Sequence, residues 1–331
     1  MYKPRYIELA ESGELALRAE TLRSMLTSCR ICPKDCDVNR IENKIAACYS
    51  GYLPVVSSYC IHYGEEPILV GSKESGNENG VGNIFFGNCN LRCVYCQNYE
   101  ISQNHKTEIK NEISIQRLAE MMIELQEKKA NAIGFVSPTH FVPQIVMALD
   151  IAVKNGLNIP LVFNTNTYDS VEVLKLLEGI IDIYLPDLKY SDDENGYKYS
   201  KIKNYVLHSR NSIREMYRQI GSRLIIENGL LRRGLLIRHL ILPNDLAGSK
   251  ETLKFISDLD NNINVSIMSQ YYPIHKALSI DLLSRNIKEK EYEKVIDLLD
   301  ELDLENGFLQ EFESENYYRP DFKDRVEPFK R

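Results

Sequence analysis

No stretch of this 331-residue chain stays apolar long enough to cross a bilayer; the longest run, GLLIRHLIL at 234–242, is short and broken by Arg238 and His239. The opening MYKPRYIELA has the order of neither a secretory signal nor an arginine-rich transit peptide. A basic footprint is missing as well. Acidic residues number 47 against 40 basic ones and the formal net charge is -7, so nucleic acid is not an expected partner. Low-complexity tracts and sequence repeats are absent. What remains is a globular protein expected in the cytosol, with no membrane partner. In that reducing compartment its eight cysteines are expected as metal or cluster ligands rather than as disulfides.

The cysteines divide as four, one and three: Cys29, Cys32, Cys36 and Cys48, then Cys60, then Cys89, Cys93 and Cys96. Ahead of the first group, residues 9–28 carry a helical pattern, with Leu15, Leu22, Met25 and Leu26 forming most of one apolar stripe. Residues 49–82 read as turns around an apolar patch, and the polar loop GSKESGNENGVGN marks the best boundary. Beyond it, strand-like runs alternate with longer amphipathic ones. The runs are NIFFG (83–87), AIGFVSP (132–138), PLVFNTN (160–166), IDIYLPDLK (181–189), GLLIRHLILP (234–243) and NVSIMSQYYP (264–273). Segments such as SIQRLAEMMIELQEKK (114–129) and KETLKFISDLD (250–260) are long enough to cross over a sheet. Six such repeats predict an α/β fold with a parallel sheet. Polar residues gather after the strands, which places one shared site at their C-terminal ends.

The first of those polar segments is GNCNLRCVYCQNYE (87–100). Three thiolates on one short loop suit iron–sulfur or zinc, and a set of three leaves a coordination position open for chemistry. The plainer alternative is a structural zinc or iron site completed by a distant cysteine such as Cys60. The spacing C-x3-C-x-aromatic-C in CNLRCVYC, placed after the first strand of a strand–helix repeat, resembles the signature of the radical S-adenosylmethionine (SAM) superfamily. The resemblance implies a partial (βα)6 barrel of parallel strands, here with an N-terminal helical, cysteine-rich extension. It implies a [4Fe-4S] cluster on Cys89, Cys93 and Cys96, whose unique iron chelates SAM and whose electron cleaves it to methionine and a hydrogen-abstracting 5′-deoxyadenosyl radical. Tyr95 would lie against the adenine, with Gln97 and Asn98 continuing the loop around it. CQN at 96–98, DLK at 187–189 and the segments HYGEEP, SPTH, YLPDLKY, RHLILP and QYYP are similar to proteins related to the pyruvate formate-lyase activating enzyme, over nearly the whole chain. That branch implies an oxidoreductase-like activase acting on a glycine of a partner protein, fed by a flavodoxin- or ferredoxin-type electron donor. Three regions follow: 1–80 with the helix and four-cysteine module, 81–310 with the barrel, and 311–331 as a tail.

Along IDIYLPDLK, Asp187 and Lys189 share a face with Ile181, Ile183 and Leu185. Such a pair can grip a zwitterionic or ribosyl ligand, and the resemblance places it in the SAM pocket; otherwise it is an ordinary surface ion pair. Arg238 and His239 must face opposite ways. Parity groups His239 with Leu235, Ile237 and Ile241, which makes His239 the expected site residue of the two. Asn164 and Asn166 share a face, and Gln270 and Tyr271 end the last run; Asn164 and Gln270 are candidates to orient a cofactor. Many superfamily members carry a GGE-like motif after the second strand, where this chain reads GFVSPTH, so Ser137, Thr139 or His140 is expected to substitute. GEEP at 64–67 imitates the motif, but it precedes the cysteines and is set aside.

CRICPKDC with Cys48 gives C-x2-C-x3-C-x11-C, four soft ligands on a segment with little core of its own. A structural zinc is the first expectation and a second iron–sulfur cluster for electron relay the next; Cys60 and His62 could add a ligand. The tail YYRPDFKDRVEPFKR (317–331) is expected to pack over the barrel. Two other functions compete: a radical SAM enzyme acting on a small molecule or another protein side chain, and a non-catalytic iron–sulfur or zinc protein for electron transfer or binding.

Overall fold

The computed structural model describes residues 2–312, 314 and 319–329. Its strands are β1 (Val56–His62), β2 (Val81–Phe86), β3 (Ile133–Val136), β4 (Leu161–Thr165), β5 (Ile183–Pro186), β6 (Ile225–Glu227), β7 (Leu230–Leu240), β8 (Asn264–Met268) and β9 (Gly307–Leu309). They join in one sheet of order β1-β2-β3-β4-β5-β7-β8-β9, with β6 on β7. From β2 to β9 the main path is parallel, whereas β1 runs antiparallel to β2 and β6 antiparallel to β7. Each of the six runs expected as strands overlaps one of the six strands β2 to β5, β7 and β8. The result is the α/β partial barrel.

Crossover helices lie outside the sheet because parallel neighbours need a long return path. Helix Ile115–Glu127 starts where the Ser114 side chain accepts from Arg117 N at 3.0 Å, and it turns Leu118, Met122 and Leu125 inward. Both faces of the strands are therefore buried. Val81, Val162, Ile183, Leu185 and Leu236 pack together inside the barrel, while Ile84, Phe135, Phe163, Tyr184 and Ile237 join the core under the helices.

The helix expected at 9–28 is two helices, Tyr6–Glu11 and Glu14–Ser24, because Gly13 takes φ +81 and breaks the run. Leu15, Leu22 and Leu26 are buried in the barrel's outer core, so the segment before residue 80 shares a core with the sheet. Strands β1, β6 and β9 were not expected. Within the tail, Phe322 and Phe329 lie 5.6 and 5.4 Å from Phe85 by ring centroid, and Arg325 pairs with buried Glu108 at 2.7 Å. Tyr317, Tyr318, Lys330 and Arg331 of that tail lie outside the described residues.

Candidate active site

β2 delivers the chain to the C-terminal mouth of the barrel. A Cβ at Gly87 would meet Val55 Cγ1 at 2.5 Å, so only glycine lets the strand end pass this close to the chain before β1. The loop that follows buries Cys89 and Cys93, at 8% and 9% exposure, and half-buries Cys96. Each sulfur meets a polar group. Leu91 N donates to Cys89 Sγ at 3.4 Å, Asn166 Nδ2 lies 3.6 Å from it, Ser200 Oγ donates to Cys93 Sγ at 3.0 Å, and Ser102 Oγ is 3.2 Å from Cys96 Sγ. Burial pushes all three thiols up, Cys96 to about 12. A bound cationic metal core reverses that preference and takes them as thiolates. Soft donors with hydrogen bonds to sulfur are what an iron–sulfur cluster requires, so this set fits one.

Asp187 and Lys189 stand beside this loop as an ion pair 2.7 Å long, with side chains 24% and 16% exposed. Burial works to lower the Lys189 ammonium, but Asp187 and Cys93 outweigh it and hold Lys189 above its ordinary range. A cavity of about 380 Å³ opens immediately past Cys96, lined by Gln97, Asn98, Asn164 and Gln270. Gln97 Nε2 donates to Gln270 O at 3.0 Å, and Gln310 Nε2 to Gln270 Oε1 at 3.0 Å, which ties the end of β8 to the cysteine loop and to the chain after β9.

Several expected site residues, with Asp187 and Lys189 among them, stand outside the cavity lining. His239 points outward, not into the barrel: it is fully buried between Leu188 O (2.8 Å from Nδ1) and Ser249 Oγ (2.9 Å from Nε2), a satisfied core histidine. Its neighbour Arg238 lines the cavity instead. Tyr95 does not line the cavity, because its ring is buried edge-on against Tyr190 and Tyr271. Nor do Ser137, Thr139 or His140 line it. Ser137 sits at the strand end with φ +55; Thr139 Oγ1 donates to Asp169 at 2.7 Å, and His140 Nε2 lies 3.0 Å from Gly87 O.

The set-aside GEEP segment does reach the site, though not as a strand end after β3. Because β1 is antiparallel, it carries Glu65 and Glu66 to the opposite end of the barrel from the cysteines, where both line the cavity. Arg238 grips Glu66 with Nε (2.8 Å) and Nη2, and Nη2 also reaches Glu65. Glu65 Oε1 accepts from Asn83 Nδ2 at 2.7 Å and lies 2.9 Å from His62 Nδ1. Burial opposes the Glu65 charge, but Arg238 and His62 outweigh it and hold Glu65 well below the usual carboxylate range. Arg238 Nη1 has no hydrogen-bond partner among the described residues, so one nitrogen of the guanidinium on the cavity floor is left unpaired. The available signal was the alternation Leu236, Arg238, Leu240 along β7.

The first cysteine group lies against the same mouth. Cys29 and Cys48 are buried and Cys32 and Cys36 half-buried, each near enough for the charges of the others to act on Cys32. Cys36 Sγ accepts from Ala47 N at 3.5 Å. Among the described residues, no three His, Cys, Asp or Glu side chains stand at the spacing of a single-ion site. Cys60 lies apart, on β1 against the Phe85 cluster.

A family model described as the Radical SAM superfamily matches residues 83–223, from β2 into the region before β6. The chain is 32% identical over 312 residues to the uncharacterized protein MJ0674 of Methanocaldococcus jannaschii, covering 90% of this chain and 82% of that one. Among solved structures it is similar to HydG, a maturase of the [FeFe]-hydrogenase (TM-score 0.48, 15% identity, 74% of this chain), and spans 54% of the HydG chain. It is also similar to the methylornithine synthase PylB (TM-score 0.43, 16% identity, 75% and 80% of the two chains). The chain belongs to the radical SAM superfamily, whose members are enzymes that use a [4Fe-4S] cluster and SAM. Among the described residues, no helix is long and apolar enough to cross a membrane.

Proposed function

We propose that Cys89, Cys93 and Cys96 hold the [4Fe-4S] cluster at the barrel mouth and that SAM binds beside it, over the 380 Å³ cavity. The observation that carries this reading is continuity: the three-thiol loop ends at Cys96, and the next two residues already line the cavity. When bound, the cluster supplies the electron that cleaves SAM to methionine and a 5′-deoxyadenosyl radical. The chain's own residues supply the surroundings. Ser200, Ser102 and Asn166 set hydrogen bonds on the sulfurs, and the Asp187–Lys189 pair presents opposite charges to a zwitterionic methionine moiety. Asn98, Asn164 and Gln270 orient the bound molecules by neutral hydrogen bonds. Phe85, Phe308, Phe312 and Phe329 give the same cavity an apolar wall.

The hydrogen donor follows from the wall. Residues after β8, including Phe308, Gln310 and Phe312, line one side of the cavity, which favours a small molecule, or a narrow chain entering from the mouth. The activase reading, in which a partner protein supplies a glycine, rests on the CQN and DLK resemblance and requires such a thread. The first four cysteines hold a second metal centre, zinc or iron–sulfur.

Anaerobically reconstituted protein given SAM and dithionite is expected to form 5′-deoxyadenosine, and Cys93→Ala to form none, by liquid chromatography. Wild type that holds a reduced cluster yet forms no product would leave only the electron-transfer reading. The donor is then traced by deuterium: extract from cells grown in heavy water is split by size, and label entering 5′-deoxyadenosine from the small-molecule fraction alone excludes the activase.

A further inference from the structure

The cavity floor carries more charge of one sign than of the other. Glu65 and Glu66 share the single guanidinium of Arg238, while His62 and Asn83 attend Glu65 alone. Asp187, which also acts on Arg238, is already answered by Lys189 at 2.7 Å. With His62 neutral, the floor therefore holds one negative charge in excess, on side chains no more than 10% exposed. A buried charge without a counterion is costly. The carboxylates also keep room for a further donor. A carboxylate oxygen accepts up to about two hydrogen bonds, and both oxygens of Glu66 and Oε2 of Glu65 hold one each.

Beside that excess stand donors without partners. Arg238 spends Nε and Nη2 on the carboxylates, which leaves the N–H groups of Nη1 unused among the described residues. The parallel ladder between β7 and β8 sets Ser266 next to Arg238. Ser266 is 3% exposed and lines the same cavity, and its hydroxyl has no hydrogen-bond partner among the described residues either. Buried groups of this kind are ordinarily paired. The two together ask for an oxygen acceptor. Phosphate or a lone carboxylate would answer the donors but add to the negative excess, whereas an uncharged oxygen answers them at no cost in charge.

We propose that Glu65, Glu66, Arg238 and Ser266 bind the head of a small cationic substrate, a primary ammonium with an uncharged oxygen close beside it, as in amino alcohols, amino ketones and amino amides. The ammonium faces the two carboxylates, and the oxygen accepts from Arg238 Nη1 and Ser266 Oγ. The inference rests on the reading of this cavity as the place where the substrate meets the radical. The cavity reaches from Gln97 and Asn98, next to Cys96, to this floor, so a head held at the floor leaves the other end of the molecule toward the cluster. Phe308 and Met268 on the same lining suit a carbon skeleton between the two ends.

The test uses the full chain, reconstituted anaerobically with SAM and dialysed against the small-molecule fraction of extract from the cells that make it. Rapid gel filtration removes unbound solutes, acid releases what stays bound, and dansyl chloride labelling with mass spectrometry reads the amines; SAM is told apart by its mass. Wild type is expected to release one further amine, which a cation exchanger holds at pH 7. Glu66→Gln, which keeps the shape of the floor, should retain at least about tenfold less of it, and Ser266→Val, which removes no charge, about fivefold less. A wild type that releases no such amine, or only a zwitterion or an anion, overturns the proposal, as does either variant retaining the amine at the wild-type level. Should Glu66→Gln not fold, Ser266→Val and the charge of the released molecule decide. Deuterium entering 5′-deoxyadenosine from macromolecules alone also overturns the proposal, while leaving the cluster reading intact. That reading fails separately, when wild type forms no 5′-deoxyadenosine with any fraction whatever amine it holds.

Discussion

Replacing Arg238 with methionine would leave the two carboxylates of the cavity floor without their cation. The side chains of Glu65 and Glu66 are each 7% exposed and that of Arg238 10%, so water replaces the lost cation only in part. Asn83 and His62 still serve Glu65, but Arg238 is the sole hydrogen-bond partner of the Glu66 side chain among the described residues. Removing one member of a buried charge set costs about 3–5 kcal/mol, against a total stability on the order of 5–15 kcal/mol for a folded domain. Arg238→Met should therefore shift the urea midpoint strongly at pH 7. Acidification should restore part of the loss, because the stranded carboxylates then take up protons. Adding Glu65→Gln and Glu66→Gln removes the uncompensated charge and should bring the midpoint back to within about 1–2 kcal/mol of wild type. Urea denaturation with unchanged slope is the measurement. A single variant as stable as wild type, or a triple variant no better than the single, refutes the account of the floor as a mutually dependent charge set.

Two further outcomes are expected. Burial pushes the Asp182 carboxyl up to about 7 from its ordinary 3.8, despite hydrogen bonds from Tyr2 and Leu161. The folded chain then holds a proton that the unfolded chain releases, so this group makes stability fall as pH rises from about 4 to 7. The slope is up to about 1.4 kcal/mol per pH unit, and Asp182→Asn should lack it when denaturation is followed across that range. Gly307 has φ +141 and a Cβ there would lie 1.8 Å from Val265 O, so Gly307→Ala should detach β9 from β8. Faster hydrogen exchange at the amides of Val265 and Gln310, both bonded across that pair, checks it.

Much of the parallel sheet was legible because buried strands read as short apolar runs separated by crossover lengths. The three missed strands had weaker signals. β9 is three residues long, and β1 alternates through serines. β6 joins β7 through Asn228 and Gly229, both at positive φ, so that hairpin was written in the chain as NG and passed over. The cysteine loop was legible because its ligands are neighbours in sequence. Arg238 was not, because a barrel strand buries both faces, and the more apolar one lies under the helices rather than inside. The Glu65 and Glu66 contacts join residues 172 and 173 positions apart through an antiparallel edge strand, which no local pattern announces.

That edge strand has a mechanical consequence. β1 starts with Val56 beside Phe86, at the mouth that receives the metal module, and ends with His62 beside Val81, at the charged floor. Seven extended residues, at about 3.4 Å each, form a strut of roughly 20 Å between them. Sliding it along β2 by a single step would turn His62 away from Asn83 and, in the same motion, pull the residues after Cys48 off Asn88. The two ends are geared together. The irregular register between Val56 and Ser58 is the joint at which length can be gained or lost without turning both.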